Sequence, residues 1–190
     1  GLENLKYAFT DDPLFIKAFI NTLKYVVMFV PSSIILAFFV ALLLSKKVKG
    51  LGFFRTAFYI PYITSGVAVT ILWGWIYQKD YGIINYVLSL FGIKGVNWLG
   101  DKNIAMISIV ILSLWTIGNN IIIMLAGIQD IPQSYYESAQ IDGAGAIRQI
   151  FSITLPLCTP TIYFNLIVTI IAAFQVFQQP LILTNGGPLN

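Results

Sequence analysis

The sequence predicts an all-α, polytopic transmembrane helical bundle with a helix–Gly–helix elbow on its cytoplasmic side. Three observations lead there. The 190 residues are 57% hydrophobic and 10% charged, with a mean hydropathy of +0.81, whereas a soluble domain carries about 25% charged residues. Four apolar stretches are each long enough for a bilayer core, which needs about 20 helical residues. Between the third and the fourth lies a polar island, YESAQIDGAGAIRQIFSITLP, at residues 136–156.

The first stretch covers residues 19–44, and Pro31 is expected to kink it. Lys24 falls inside this run and is expected to snorkel to the outer interface. Lys46, Lys47, Lys49 and Arg55 follow closely. Such a dense basic cluster beside a span marks the cytoplasmic side. Lys6, Lys17, Lys79, Lys94 and Lys102 then lie outside, so density rather than total count sets the topology. The second stretch covers residues 57–77, with Pro61 expected in its first turn, where a missing N–H had no partner anyway. Residues 78–102 are long for a connection and contain Gly82, Gly92, Gly95 and Trp98. They read as a folded outer cap with a short helix near residues 83–91. The third and fourth stretches cover residues 104–128 and 157–177, the fourth with Pro160 in its first turn. Gly66, Gly74, Gly118 and Gly127 permit close helix packing. The whole chain, residues 1–190, reads as a single transmembrane domain with a functional loop at 129–156.

That loop should open with a short amphipathic helix. Pro132 suits its first turn, and Ser134 can cap a slightly later start. Ile131, Tyr135 and Ala139 share one face at helical spacing. Gly143 and Gly145 should break the helix, and Asp142 is placed to cap a second one, GAIRQIFSITL. Small residues at Ser138, Ala139 and Ala144 let a partner surface approach. The competing reading is a helix lying on lipid, which should be rich in Lys and Arg. This loop has Arg148 against Asp130, Glu137 and Asp142.

Composition excludes several functions. There is no His, and Cys158 is the sole cysteine, so neither a zinc cluster nor an intrachain disulfide is expected. No GxxxxGK[ST] pattern occurs, so the chain does not hydrolyse ATP through a P-loop. The basic residues cluster at the ends of apolar stretches, which reads as topology and not as nucleic-acid binding. No catalytic residue, metal ligand or cofactor site is expected. Residues 57–77, 104–128 and 157–177 hold no Asp, Glu, Lys or Arg. Proton-coupled carriers bury a carboxylate, so an ion-coupled or passive solute carrier is the disfavoured alternative.

Polar residues inside the apolar stretches are the candidates for a solute pathway. The third stretch offers Trp115, Thr116, Asn119 and Asn120. The fourth offers Asn165, Thr169 and Gln175, and Thr169, Ala172, Ala173 and Val176 share one helical face. Asn119 and Asn120 either line a path or bond helix to helix. Trp115 either packs or gives a sugar a stacking face.

Glu137, Ala139, Gly143, Ile153, Leu155 and Pro156 carry a recognisable spacing: Glu-Ala-Ala, three residues, Gly, nine residues, Ile-x-Leu-Pro. Ser138 departs from it by replacing the first Ala. With KGLGFFRTAFYIPYITSG, DYGIINYVL, GVNWLGD and LTNGGP, the pattern extends over residues 12–190. The chain resembles the sugar-type permease subunits of binding-protein-dependent ABC importers, such as those for maltose and glycerol phosphate. The resemblance implies the core of an ABC importer permease domain, multi-pass in a bacterial or archaeal inner membrane and surrounded by lipid bilayer. It implies a pathway for a carbohydrate or similar small polar solute, moved inward by alternating access. The implied partners are a second permease subunit in a hetero-dimer, two ATPase subunits and an extracytoplasmic solute-binding protein. The implied ATPase-coupling residues are Tyr136, Glu137, Ser138, Ala139, Asp142, Gly143, Ile153, Leu155 and Pro156. Such permeases carry more spans than four, so one span before Gly1 and one after Asn190 are expected.

Overall fold

The structure is a computed structural model and describes residues 1–46 and 50–187; Lys47 and Lys49 of the basic cluster, and Pro188 of LTNGGP, lie outside the described residues. The described residues form helices and turns, without strands. The helices are α1 (Leu2–Thr10), α2 (Pro13–Ser45), α3 (Leu51–Ile63), α4 (Gly66–Ile76), α5 (Ile83–Leu90), α6 (Ala105–Trp115), α7 (Gly118–Gln129), α8 (Gln133–Ile141), α9 (Ala146–Gln149), α10 (Leu155–Leu157), α11 (Thr159–Phe174) and α12 (Gln178–Thr184). A π-helical turn, Ile150–Thr154, joins α9 to α10. Among the described residues, one helix is long and apolar enough to cross a membrane, or up to four if each broken pair is one span.

Helix α2 starts where Asp12 accepts hydrogen bonds from the N–H groups of Leu14 (2.9 Å) and Phe15 (3.2 Å), with Pro13 at the first helical position. Pro there is pre-set for helix and gives up no bond. The helix then runs unbroken through Pro31 for 33 residues, about 50 Å at 1.5 Å per residue. Its second half buries Val30, Ser33, Ala37, Phe38, Ala41 and Leu44 and exposes Ile35, Leu36, Phe39 and Leu43. A helix that is apolar on its outward face needs lipid or another chain to cover it. The same holds for α11, where Tyr163, Phe164, Ile167 and Val168 are exposed.

Two of the four apolar stretches are broken well inside their length, and the fourth is broken at Cys158, just past its start. The second divides at Thr64 and Ser65 into α3 and α4, so Pro61 lies near the end of α3 and not in a first turn. The reason is local: Pro61 has no N–H to give the carbonyl of Ala57, which weakens the helix just before the break. The third divides at Thr116 and Ile117 into α6 and α7. Two β-branched residues followed by Gly118 make a weak helical segment.

The chain forms two compact units. One comprises Gly1–Phe29, Thr64–Trp115 and the chain from Ile171 on. Here Gly66 and Gly74 of α4 let α12 approach: Gly66 meets the Gln178 side chain, and a Cβ on Gly74 would touch Leu183 at 3.5 Å. Tyr25 bonds Ser113 at 2.9 Å, and Tyr77 donates to the Ser108 carbonyl at 2.9 Å. The expected cap helix forms as α5, and Gly92 in the left-handed region (φ +72) ends it. Buried Asn85 organises the cap. Its amide donates to the carbonyls of Lys79 (2.9 Å) and Val96 (2.8 Å), while its oxygen accepts from the Val96 N–H (3.0 Å) and the Trp98 indole (2.9 Å). Asn85→Leu should orphan several of these groups and cost about 2–3 kcal/mol of cap stability. Hydrogen exchange at the Val96 amide checks this: protection should drop, and unchanged protection would show that other contacts hold the cap.

The other unit comprises Val30–Ile63 and Thr116–Ile170. Gly118 of α7 sits against the Phe58 carbonyl of α3, and Gly127 of α7 against Thr161 of α11. Both are helix crossings that a larger residue would force apart. Ile117, Ile121, Met124, Leu125, Ile128, Cys158, Asn165 and Thr169 are buried here.

Candidate functional site: the elbow and the polar pair

The elbow is built from α8, a glycine turn, α9 and the π turn. Pro132 is the residue before α8, with extended torsions (φ −57, ψ 132), and Ser134 lies within the helix, so Ser134 is not its cap. At the other end the chain turns through a Schellman motif. The Ala144 N–H bonds the Ala139 carbonyl (2.8 Å) and the Gly143 N–H bonds the Gln140 carbonyl (3.0 Å), with Gly143 left-handed at φ +77. This satisfies carbonyls that a helix end otherwise leaves open. Asp142 closes α8 (φ −74, ψ 4), and the N-cap of α9 is Gly145 without a side-chain cap bond. The expectation that Asp142 caps the second helix is therefore corrected. The Schellman turn places two residues, Ala144 and Gly145, between Gly143 and α9, too far on for Asp142 to cap.

The second helix is also not continuous. After α9 the ladder widens: the Leu155 N–H bonds the Ile150 carbonyl, five residues back. Pro156 follows, without an N–H to continue the ladder to Ser152, and Pro160 repeats the loss one turn later. The Ala146–Leu157 segment meets α11 at a 66° bend.

Two side-chain bonds brace this elbow. The Tyr136 and Thr154 hydroxyls are 2.9 Å apart, and the Gln149 amide donates to the Ala144 carbonyl at 2.9 Å. Of the signature residues, Glu137, Ser138, Asp142, Gly143, Leu155 and Pro156 are exposed, while Tyr136, Ala139 and Ile153 are half-buried. Ile141 (87% exposed), Ile147 (74%) and Phe151 (64%) stand on the surface beside them. Sequence reasoning passed over these three and Thr154. The i, i+4 spacing of Ile147 and Phe151 was the available signal.

In the same unit, Asn120 donates from its amide to the Thr169 hydroxyl at 2.9 Å, tying α7 to α11. Asn165 reaches the Asn120 carbonyl at 3.5 Å, and its own side-chain oxygen, fully buried, meets no donor. Asn119 is half-buried beside Asn120. The remaining pathway candidates belong to the other unit. Trp115 is more than half exposed and packs edge-on against Trp73, with centroids 6.0 Å apart. Ala173 is buried, Ala172 exposed and Val176 half-buried. Val176 lines a cleft of about 520 Å³ whose polar groups include Lys17, Asn21, Tyr25 and Lys102.

The family model described as "Binding-protein-dependent transport system inner membrane component" matches residues 13–190, and the chain belongs to that family. It is 40% identical to the probable ABC transporter permease protein YesP of Bacillus subtilis, over 100% of this chain and 62% of the relative. It is 36% identical to the trehalose/maltose transport system permease protein MalF of Thermococcus litoralis, over 99% and 64%. It is 34% identical to the sn-glycerol-3-phosphate transport system permease protein UgpA of Escherichia coli, over 100% and 64%. The chain thus spans less than two thirds of the length of each of these relatives. Among solved structures it matches a bacterial ABC transporter involved in the import of the acidic polysaccharide alginate. The TM-score is 0.79 at 29% identity, covering 96% of this chain and 65% of that one. A second match is that alginate transporter in complex with its alginate pentasaccharide-bound periplasmic protein, with TM-score 0.80, 29% identity and coverage of 96% and 64%.

Proposed function

We propose that the chain is the transmembrane pathway of an ATP-driven importer that moves a carbohydrate or similar small polar solute into the cytoplasm by alternating access. The observation that carries this is the elbow: a short helix, ended by a left-handed glycine, with acidic and apolar side chains both exposed. One of two separate ATPase subunits docks there. Ile141, Ile147 and Phe151 supply apolar anchors, and Glu137 supplies a charge that a basic group on the partner meets. ATP-driven closure of the ATPases moves the elbow, and the spans shift between inward-open and outward-open populations because nucleotide binds one of the two states better.

A second permease subunit covers the exposed apolar faces that lipid does not, and an extracytoplasmic binding protein delivers the solute. Asn119 lines the path, and the bond between Asn120 and Thr169 holds together the helices beside it; Trp115, Ala172, Ala173 and Val176 are further pathway candidates. The buried oxygen of Asn165 accepts a hydrogen bond from water or from a solute hydroxyl. The relatives named for trehalose/maltose and for sn-glycerol-3-phosphate support the solute class.

The test is purification of the intact complex with its subunits identified by mass. Wild type should bring down two ATPase copies. Glu137→Lys should stay inserted in the membrane but lose about tenfold in ATPase docking, in line with a rim charge pair turned repulsive. Full retention of both docking and uptake would overturn the coupling role of Glu137.

A further inference from the structure

We propose that Thr154 is a positioning residue for energy coupling: its hydroxyl locks the docking helix α8 onto the π turn that leads into the fourth apolar stretch. The inference rests on the reading of the elbow as the ATPase-docking element and adds to it how a push is passed on.

The elbow has two built-in hinges, Gly143 and Gly145, and neither packs against a neighbour. A Cβ placed on either would meet nothing within 4 Å. Without further bonds, α8 would swing about these glycines and a push on it would be dissipated. Among the described residues, a side-chain bond runs from α8 itself to the far side of the turn, the 2.9 Å contact between Tyr136 and Thr154. Thr154 is buried, 2% exposed, so this bond is shielded from competing water.

One proton order serves both of the Thr154 hydroxyl's contacts. The Thr154 hydroxyl also faces the Gln149 carbonyl at 3.5 Å, five residues back, along the π turn. A hydroxyl has one proton to give. Both contacts are served when Tyr136 donates to Thr154 and Thr154 donates to Gln149. Gln149 in turn donates from its amide to the Ala144 carbonyl, at the glycine turn. The chain Tyr136–Thr154–Gln149–Ala144 therefore runs from α8 across the π turn and back to the hinge, closing a ring of bonds around both glycines. Val in place of Thr154 keeps the shape and removes both hydroxyl functions; Ser keeps them.

The experiment uses the intact importer complex in membranes, with its ATPases and binding protein. Thr154→Val should assemble normally, and its solute uptake per ATP hydrolysed should fall roughly five- to tenfold, the factor expected from losing one buried hydrogen bond. Thr154→Ser should restore the ratio. Tyr136→Phe should lower it similarly, and the double variant Y136F/T154V should be no worse than either alone, as for two ends of one bond. Amides around residues 143–150 should exchange faster in Thr154→Val. A normal uptake-to-hydrolysis ratio in Thr154→Val overturns the proposal, as does a loss of uptake that only tracks the amount of assembled complex. Should Thr154→Val not assemble, Tyr136→Phe decides: a lowered ratio with Thr154→Ser normal supports the lock, and a normal ratio rejects it. Glu137→Lys separates the two ideas. Lost docking there with a normal Thr154→Val leaves the elbow reading standing and removes the lock, whereas unaltered docking in Glu137→Lys removes the elbow reading itself.

Discussion

Gly143→Val should leave the subunit in the membrane and strip it of coupled transport. Gly143 sits at φ +77 as the left-handed residue of the turn that ends α8. A residue with a Cβ pays about 1–2 kcal/mol to enter that region, and a β-branched one pays at the high end. Space is not the obstacle, since a Cβ there would meet nothing within 4 Å. The cost is therefore conformational, and the chain can escape it by abandoning the turn. Doing so breaks the bonds from Gly143 to Gln140 and from Ala144 to Ala139 and re-aims α8. With the loss of two turn bonds added, the native elbow becomes the minor state, and uptake should fall by tenfold or more, since about 1.4 kcal/mol is one factor of ten. Hydrolysis by any ATPase still bound should no longer follow the solute. Measuring uptake and ATP hydrolysis on the same membranes checks it. Gly143→Asn is the informative control, because Asn tolerates the left-handed region better than other residues; it should keep more than half of the coupling. Equal, wild-type uptake in Gly143→Val would mean that the turn is not what transmits the push.

The second large effect separates two neighbouring amides. Asn120 is committed to Thr169 in a bond between α7 and α11, so Asn120→Leu should act on assembly. It leaves the buried Thr169 hydroxyl without its donor and forces a branched side chain into that crossing, costing about 1–3 kcal/mol. The amount of intact complex should drop, and uptake should drop with it in proportion. Asn119 is half-buried in the same turn of α7 and is not part of that bond. As a pathway residue, Asn119→Leu should leave assembly intact and cut uptake per complex by about tenfold or more, the penalty for removing a hydrogen bond from a site built to make it. The decisive quantity is uptake divided by intact complex for each variant. Asn119→Leu with a normal quotient would take Asn119 out of the pathway. Asn120→Leu with full assembly but a lowered quotient would move Asn120 into it.

Sequence by itself determined the class and the location of the elbow. Composition left too little polar surface to cover a globule, so the helices had to be apolar outward, as Ile35, Phe39 and Leu43 of α2 are. The spacing from Glu137 to Pro156 located the loop, and Gly143 announced a left-handed turn because only residues that tolerate that torsion stand there readily. These properties are local, set by one segment's own chemistry, and so can be read without neighbours. Tertiary structure decided the rest. Whether Asn120 is solvated or bonded depends on Thr169, 49 residues away in the chain. Whether Thr154 is an ordinary helix residue depends on Tyr136 and on the widened ladder before Pro156. The breaks at Thr64 and Thr116 likewise fall inside runs that, averaged over a span's length, read as single apolar stretches. Hydropathy reports how much a segment gains by leaving water. It is silent on which partner each polar group finds once there, and in this protein those pairings shape the elbow and the polar cluster between α7 and α11.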